Sequence, residues 1–344
     1  MSSDSKTNED LRGNEGGFSF ESIHSPARLH FGLVEVCADQ PRLFGGVGVM
    51  IEQPSIRMSL TTEIDLDASA KWLYSIEAEE PWKSRIAMVA ERWFATVSKP
   101  SLPPFTIRLE HPPSMHAGLG SGTQVACSTV SLLNHWYRKE SIVSLDELAG
   151  ITLRGKRSFV GLAGHQHGGF IVDYGQSVSD APRNCDRLEP PRDWCVVLAK
   201  PISTTTISGV VENDYFGQSQ APNPHRESMW KMITDEITPA IETSDLNRFG
   251  HALYEYGRYA GRVFARVQGG VYRDHIVATM IEWIRAQGVL AVGQSSWGPT
   301  VYAIIGTRSD AKALLEKLSI QFPVGVECMM TTFNHTGYQH AENQ

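Results

Sequence analysis

The segment from His116 to Gln124 reads His-Ala-Gly-Leu-Gly-Ser-Gly-Thr-Gln, with three glycines among five consecutive positions. Glycine lets backbone N–H groups come close to an anion, and a helix N-terminus adds partial positive charge. Phe105, Ile107 and Leu109 alternate before the loop, and Val125, Thr129, Leu132, Leu133 and Trp136 recur at helical spacing after it. A strand, a glycine-rich loop and a helix in that order suit phosphate binding by Gly118, Leu119, Gly120, Ser121, Gly122, Thr123 and Gln124. The competing expectation is that the glycines only make a tight turn. The spacing matches neither a Walker A motif with its lysine nor a dinucleotide-binding fingerprint.

Other residues of the right type lie elsewhere in the chain. Arg28 and His30 are two apart, so on a strand they share a face, which Gly32 continues with room for a ligand. Arg154, Lys156 and Arg157 are the densest cationic cluster of an acidic chain, and either contact phosphate or form a solvated helix end. Asp173, directly after the apolar run Phe170–Val172, either holds Mg²⁺ or caps the following turn. His165 and His167 have a spacing that two metal ligands on a strand can use, but the glycines around them favour a loop, and no further ligand cluster is near in sequence. Gln294, Ser295 and Ser296 offer hydrogen bonds to a substrate, while Trp297 is read as a plug between domains rather than a stacking platform.

These residues need a scaffold of ordinary globular character. The chain is 41% hydrophobic and 20% charged, with 344 residues, enough for two domains with buried cores. A net charge of −7 without a long basic run argues against a nucleic-acid partner. Five cysteines without a Cys-x-x-Cys spacing argue against a disulfide framework or a zinc knuckle. Neither a leader nor a membrane span is legible, so the expected location is the cytoplasm. Residues 1–18 read as a disordered tail, 19–190 as a first domain carrying the loop, and 191–344 as a second. From Ser22 to Arg57, Pro26, Gly32, Pro41, Gly45, Gly46, Gly48 and Pro54 predict short strands joined by turns. Helices are expected over about 81–97, 226–241, 246–263 and 275–286, then one capped by Ser309, with the element order of a split βαβ sandwich in the last third.

The Gly118–Thr123 loop resembles the central motif of the GHMP superfamily of small-molecule kinases, and Gly293–Thr300 resembles its C-terminal glycine-rich motif. Within it, the segments 25–32, 44–48, 116–124, 154–158 and 168–173 resemble β-ribofuranosylaminobenzene 5′-phosphate synthases. The resemblance implies an α+β, two-domain GHMP-kinase-like fold, with a ribosomal-protein-S5-domain-2-like N-terminal domain and a ferredoxin-like C-terminal one. It implies a homodimer and a pentosyltransferase of tetrahydromethanopterin biosynthesis. Such an enzyme condenses 5-phosphoribosyl 1-diphosphate with 4-aminobenzoate or 4-hydroxybenzoate, releasing CO₂ and diphosphate. Arg28, His30, Lys156 and Arg157 are then the catalytic candidates, and Gly45, Gly46, Arg154, Gln294, Ser295 and Ser296 contact substrate. Mg²⁺ sits on Asp173 and Thr123, and no organic cofactor is needed. Gly122 stands where the kinases of the superfamily usually have a second hydroxyl, and Gly161–Gly169 lacks the carboxylate they commonly carry. An ATP-dependent kinase is therefore the alternative, and a non-catalytic phosphometabolite-binding protein the second.

Overall fold

In the computed structural model, residues 20–37, 42–62, 74–97, 103–110, 115–138, 143–177, 183–202, 215–216 and 221–341 are described; the expected tail lies outside them. Two long antiparallel strands, β1 (Phe20–Glu35) and β2 (Arg42–Thr62), organise the first half. They replace the short strands and turns expected from Pro26 and the glycines. An antiparallel ladder absorbs such residues as bulges, and the register shifts between Ser25 and Ala27 and between His30 and Gly32. Gly32 at φ 132° and Gly46 at φ 145° take conformations closed to other residues.

β2 is long enough to serve two sets of partners. Its C-terminal part pairs with β4 (Phe105–Glu110), beside which β3 (Tyr74–Glu77) runs parallel, and Gly46–Val49 pairs with β5 (Phe170–Asp173). β6 (Gln176–Ser177) and β7 (Cys185–Leu188) extend that end. Helices α1 (Trp82–Phe94), α2 (Ser121–Arg138), α3 (Leu145–Thr152) and α4 (Val160–His167) cover this sheet. The inner faces read from sequence, Trp82, Ile86, Val89 and Trp93 on α1 and Val125, Thr129, Leu132, Leu133 and Trp136 on α2, are all buried. They meet Ile56, Met58 and Leu60 of β2 in one core, which holds the helices against the sheet by burial of apolar area.

The second sheet is antiparallel, in the order β11 (Val326–Thr332), β8 (Cys195–Pro201), β10 (Val301–Ile305) and β9 (Ala291–Gln294). Both faces of β8 are covered: Cys195, Val197 and Ala199 meet helices His275–Ala286 and Arg308–Gln321, whereas Val196 and Leu198 meet the core shared with β1 and helix Leu246–Val263. The mixture of helices and strands is the α+β arrangement. The helix expected to start at Ser309 begins at Arg308, with Thr307 as its cap, because the Thr307 side chain accepts from Asp310 N. The rod Arg226–Glu242 is wound as a π-helix over Met232–Ile237, just ahead of Pro239, which has no N–H to donate. The sheets change between β7 and β8, but β12 (Gln339–Ala341) returns from the far end of the chain to pair with β1. All five cysteines are free thiols, and among the described residues no helix is long and apolar enough to cross a membrane.

The His165 and His167 segment is helical rather than a loop, since both lie on α4. On a helix, residues two apart face different sides, so these two do not form a chelating pair. His165 is buried, with Nδ1 3.0 Å from Gln124 Oε1 and Nε2 3.0 Å from Ser131 Oγ. Because Gln124 Nε2 donates to Gly161 O, its Oε1 accepts, which assigns the proton to Nδ1. Burial first, and His340 nearby second, push the His165 pKa down to about 3, and burial pushes His340 down to about 4. Below pH 6.5 the unfolded chain binds protons that the folded protein refuses, so stability falls with pH until the folded pKa is reached. His165 alone costs about 1.4 kcal/mol per pH unit in that window. Urea midpoints measured from pH 7 down to pH 4.5 should fall steadily; a flat profile contradicts this.

Candidate active site

A cavity of about 480 Å³ lies where the two halves meet, lined from one side by β1, the loop Gly118–Thr123 and the segment Arg154–Ser158. From the other side it is lined by Tyr254, Gly257, Phe264, Tyr272, Arg273 and the loop Gly293–Gly298. The glycine loop is held from beneath. Arg28 N donates to Leu119 O at 3.0 Å, and Arg28 Nη1 reaches Gly118 O at 3.4 Å. Ser295 Oγ donates to Gly118 O at 2.7 Å and accepts from His30 N at 3.1 Å, while Ser296 N donates to His30 O. A Cβ on Gly118 would stand 2.3 Å from Ser295 O, so the close approach of the two loops requires glycine there. Thr123 N and Gln124 N turn back to Gly120 O, which leaves the donors of Ser121 and Gly122 to open α2 toward the cavity.

The electrostatics are one-sided. Arg28, Arg85, Arg154, Lys156, Arg157 and Arg273 line the cavity, and no described carboxylate does. Such a wall in an acidic protein is built for an anionic guest. His30 belongs to the lining but is nearly buried, and burial, then Arg28 and Arg183, keeps its pKa well below the ordinary value. It is a neutral imidazole, 3.1 Å from Ser158 Oγ, and contributes hydrogen bonding rather than charge.

The sequence-derived candidates divide between cavity and scaffold. Arg28, His30, Gly118–Thr123, Arg154, Lys156, Arg157, Gln294 and Ser296 line the cavity together. Gln124 does not, being fully buried between Gly161 and His165, and Ser295 is the buried strut just described. Gly45 and Gly46 lie behind it: a Cβ on Gly46 would stand 2.2 Å from Gly32 O, and one on Gly45 3.0 Å from Trp230. Gly32 leaves room for helix Leu246–Val263 rather than for a ligand alone, since its Cβ would stand 2.2 Å from Ala260 Cβ. Trp297 lines the cavity and packs on Phe264, ring centroids 4.6 Å apart.

Asp173 is the largest revision. It is fully buried and absent from the cavity wall. Oδ1 accepts from Gly175 N and Arg183 Nε, and Oδ2 from Phe159 N and Arg183 Nη2. A carboxylate so saturated is no Mg²⁺ ligand. Arg183 in turn donates to Gly155 O and Arg157 O, both at 2.7 Å, and lies over the Phe159 ring. The pair therefore fixes the backbone that presents Lys156 and Arg157. Asp173→Ala leaves the Arg183 charge buried and should lower unfolding free energy by about 3–5 kcal/mol, measured by urea denaturation. A loss under about 1 kcal/mol would mean the pair is dispensable.

For Mg²⁺ the described wall offers neutral hydroxyls, those of Ser121 and Thr123 among them, and no charged oxygen. Mg²⁺ prefers carboxylate or phosphate oxygens, so these residues do not by themselves make a site for it. Among the described residues no group of three His, Cys, Asp or Glu side chains is placed to hold a metal.

The family model described as "GHMP kinases N terminal domain" matches residues 84–171, and "GHMP kinases C terminal" matches 237–324, together half of the chain. The first spans the glycine loop and the Arg154–Ser158 segment. The chain belongs to the GHMP kinase superfamily. Solved structures of that fold align along nearly its whole length. A homoserine kinase from Cytophaga hutchinsonii gives a TM-score of 0.67 at 14% identity, covering 96% of this chain and 100% of that one. Mevalonate diphosphate decarboxylase from Enterococcus faecalis gives 0.62 at 13%, covering 95% and 100%. Sequence relatives are more specific. The beta-ribofuranosylphenol 5'-phosphate synthase of Methanothermobacter thermautotrophicus is 29% identical over 297 residues, 82% of this chain and 88% of the relative. That of Methanocaldococcus jannaschii is 26% identical over 340 residues, 92% and 99%.

Arg85, His116, Tyr254, Tyr272 and Arg273 complete the wall of this GHMP protein, and sequence reasoning passed over their roles. Arg85 sits on the rim of an amphipathic helix, where an arginine is ordinarily a solvated residue. Only the fold of α1 against α2 brings it to the loop.

Proposed function

We propose that this protein is the enzyme that condenses 5-phosphoribosyl 1-diphosphate with 4-hydroxybenzoate, with release of CO₂ and diphosphate. The observation that carries this is a cavity on a glycine-rich loop whose described charged side chains are all cationic. Both substrates are anions, and bringing their reacting carbons to near-attack distance is the main task of the site. As diphosphate leaves C1 of the ribose, positive charge grows on the sugar and negative charge on the leaving oxygens. Arginine side chains and loop N–H groups meet the latter. The ring carbon bearing the carboxylate forms the new bond to C1, and the electrons of the breaking C–CO₂ bond restore aromaticity. Electrons therefore come from the substrate, and no base need remove a proton from an alcohol. The phenol in the names of the synthase relatives favours the 4-hydroxy over the 4-amino ring. Mg²⁺, if used, would have to come with the diphosphate, because this wall offers it only neutral hydroxyls such as those of Ser121 and Thr123; its part would be to neutralise charge on the leaving group. A cytoplasmic homodimer is part of the same proposal, checked by light scattering.

The kinase alternative needs a carboxylate beside the acceptor hydroxyl, and among the described residues the cavity presents none. The test is incubation of the pure protein with Mg²⁺, phosphoribosyl diphosphate and each benzoate in turn. Equal, benzoate-dependent release of CO₂ and diphosphate is the expected result. ADP formation from ATP and an alcohol, without such release, assigns the protein to the kinases, and binding without turnover makes it a sensor.

A further inference from the structure

Helix Leu246–Val263 carries glycines at 250, 257 and 261, although glycine suits a helix interior worse than any residue except proline. Two of them have a steric reason. A Cβ on Gly250 would stand 2.8 Å from Ala291 N, and one on Gly261 2.2 Å from Val271 O. Gly257 has no such reason: beyond its own helix backbone and chain neighbours, a Cβ there would meet only Tyr302 Oη among the described residues, at an ordinary 4.0 Å. Gly257 lines the cavity, so the space kept clear in front of it belongs to the cavity. Tyr302, which borders that space, is 1% exposed, and its ring packs edge-on against Phe31 with centroids 4.9 Å apart. Phenylalanine would fill that place equally well. The Tyr302 side chain lies across Gly293, its pairing partner on β9, where a Cβ would stand 2.6 Å from the hydroxyl. Gly293 lines the cavity as well. Tyr302 Oη makes no hydrogen bond to a described residue, and burial first, then Tyr272 and Tyr256, holds its pKa well above the ordinary value. A neutral hydroxyl buried without a partner is costly. The same side of the cavity presents Tyr254, Phe264, Val271, Tyr272 and Val292, flat or apolar surface suited to the face of an aromatic ring.

We propose that Gly257 and Gly293 frame a slot for the hydroxyl-bearing edge of an aromatic substrate, and that Tyr302 Oη is the hydrogen-bond partner of that hydroxyl. Groups para to one another on a ring point in opposite directions, so a hydroxyl held in the slot turns the carbon bearing the carboxylate back into the cavity. The slot rests on the synthase reading for the carboxylate and the reaction of its guest, but not for the phenol. Tyr302 is then a specificity residue: it separates 4-hydroxybenzoate from benzoate and touches no phosphate.

The test titrates the wild type, Tyr302→Phe and Gly257→Ala with 4-hydroxybenzoate and with benzoate by calorimetry, in the presence of inorganic pyrophosphate, alongside steady-state kinetics. Tyr302→Phe keeps the packing on Phe31 and removes one oxygen. It should weaken 4-hydroxybenzoate binding about 5- to 10-fold and leave benzoate within about twofold. The KM for 4-hydroxybenzoate should rise in parallel while that for phosphoribosyl diphosphate stays within about twofold. Gly257→Ala should also lose the preference for the hydroxylated ring, because its methyl group enters the slot, yet melt no lower than the wild type, since alanine suits a helix interior better. Equal affinity of the wild type for the two benzoates, binding of neither, or an unchanged preference in Tyr302→Phe overturns the slot. Loss of the preference in Tyr302→Phe by a protein that releases neither CO₂ nor diphosphate sustains the slot and sinks the synthase; release with an unchanged preference does the reverse.

Discussion

Gly120→Val should abolish binding of phosphoribosyl diphosphate and turnover together, with kcat/KM down by about 10³ or more. Gly120 has φ 73°, which a β-branched residue adopts only with a strain of about 1–3 kcal/mol. Relief of that strain would rotate the peptide groups that open α2. Even in the native backbone a Cβ would stand 3.2 Å from Arg28 Nε and 3.3 Å from Arg28 Cβ. Valine adds two methyl groups beyond that point, so it presses on Arg28 and fills the space a phosphate oxygen would use. Calorimetric titration with phosphoribosyl diphosphate checks the loss, and circular dichroism checks that the fold persists. Near-native affinity would falsify the assignment of the loop as a phosphate cradle.

Arg28→Ala is expected to lower kcat by about 10²–10³ while changing stability little. The strand does not depend on this side chain: Ala27 and Leu29 on either side are buried in the shared core, and the bond from Arg28 N to Leu119 O is made by the backbone. What disappears is a guanidinium directly under Gly120, where negative charge accumulates as the leaving group departs. Arg28→Lys should restore part of kcat, because charge returns without the planar fork. A variant that loses stability as steeply as activity would show Arg28 to be a structural strut, and the charge argument would fail.

Much of this site could be read from residue order because its signals are local. A strand pattern, a glycine loop and a helical pattern follow one another in 105–136, and local hydrogen bonding sets them in that order. The helices Leu246–Val263 and His275–Ala286 were equally legible, since apolar periodicity needs no partner to be seen. The misreadings share a cause. Pro26 and the glycines of 32–48 speak for turns only until a second long strand lies alongside, where Pro26 and Gly32 fall at irregularities of the ladder and Gly46 and Gly48 pair within it. Asp173 has the look of a metal ligand until Arg183 is folded onto it, and Arg85 the look of a surface residue until α1 packs on α2. Each depends on a folded contact for which composition and spacing carry no mark, even where, as for Asp173 and Arg183, the partners are ten residues apart.

The pairing of Ser22 with Ala341 and of His24 with Gln339 joins the first described strand to the last. Gln339–Ala341 is synthesised after every other described strand, so the opening sheet stays incomplete along one edge until that segment has been made. Loss of Gln339–Ala341 would therefore be felt on the strand that carries Arg28, more than 300 residues earlier.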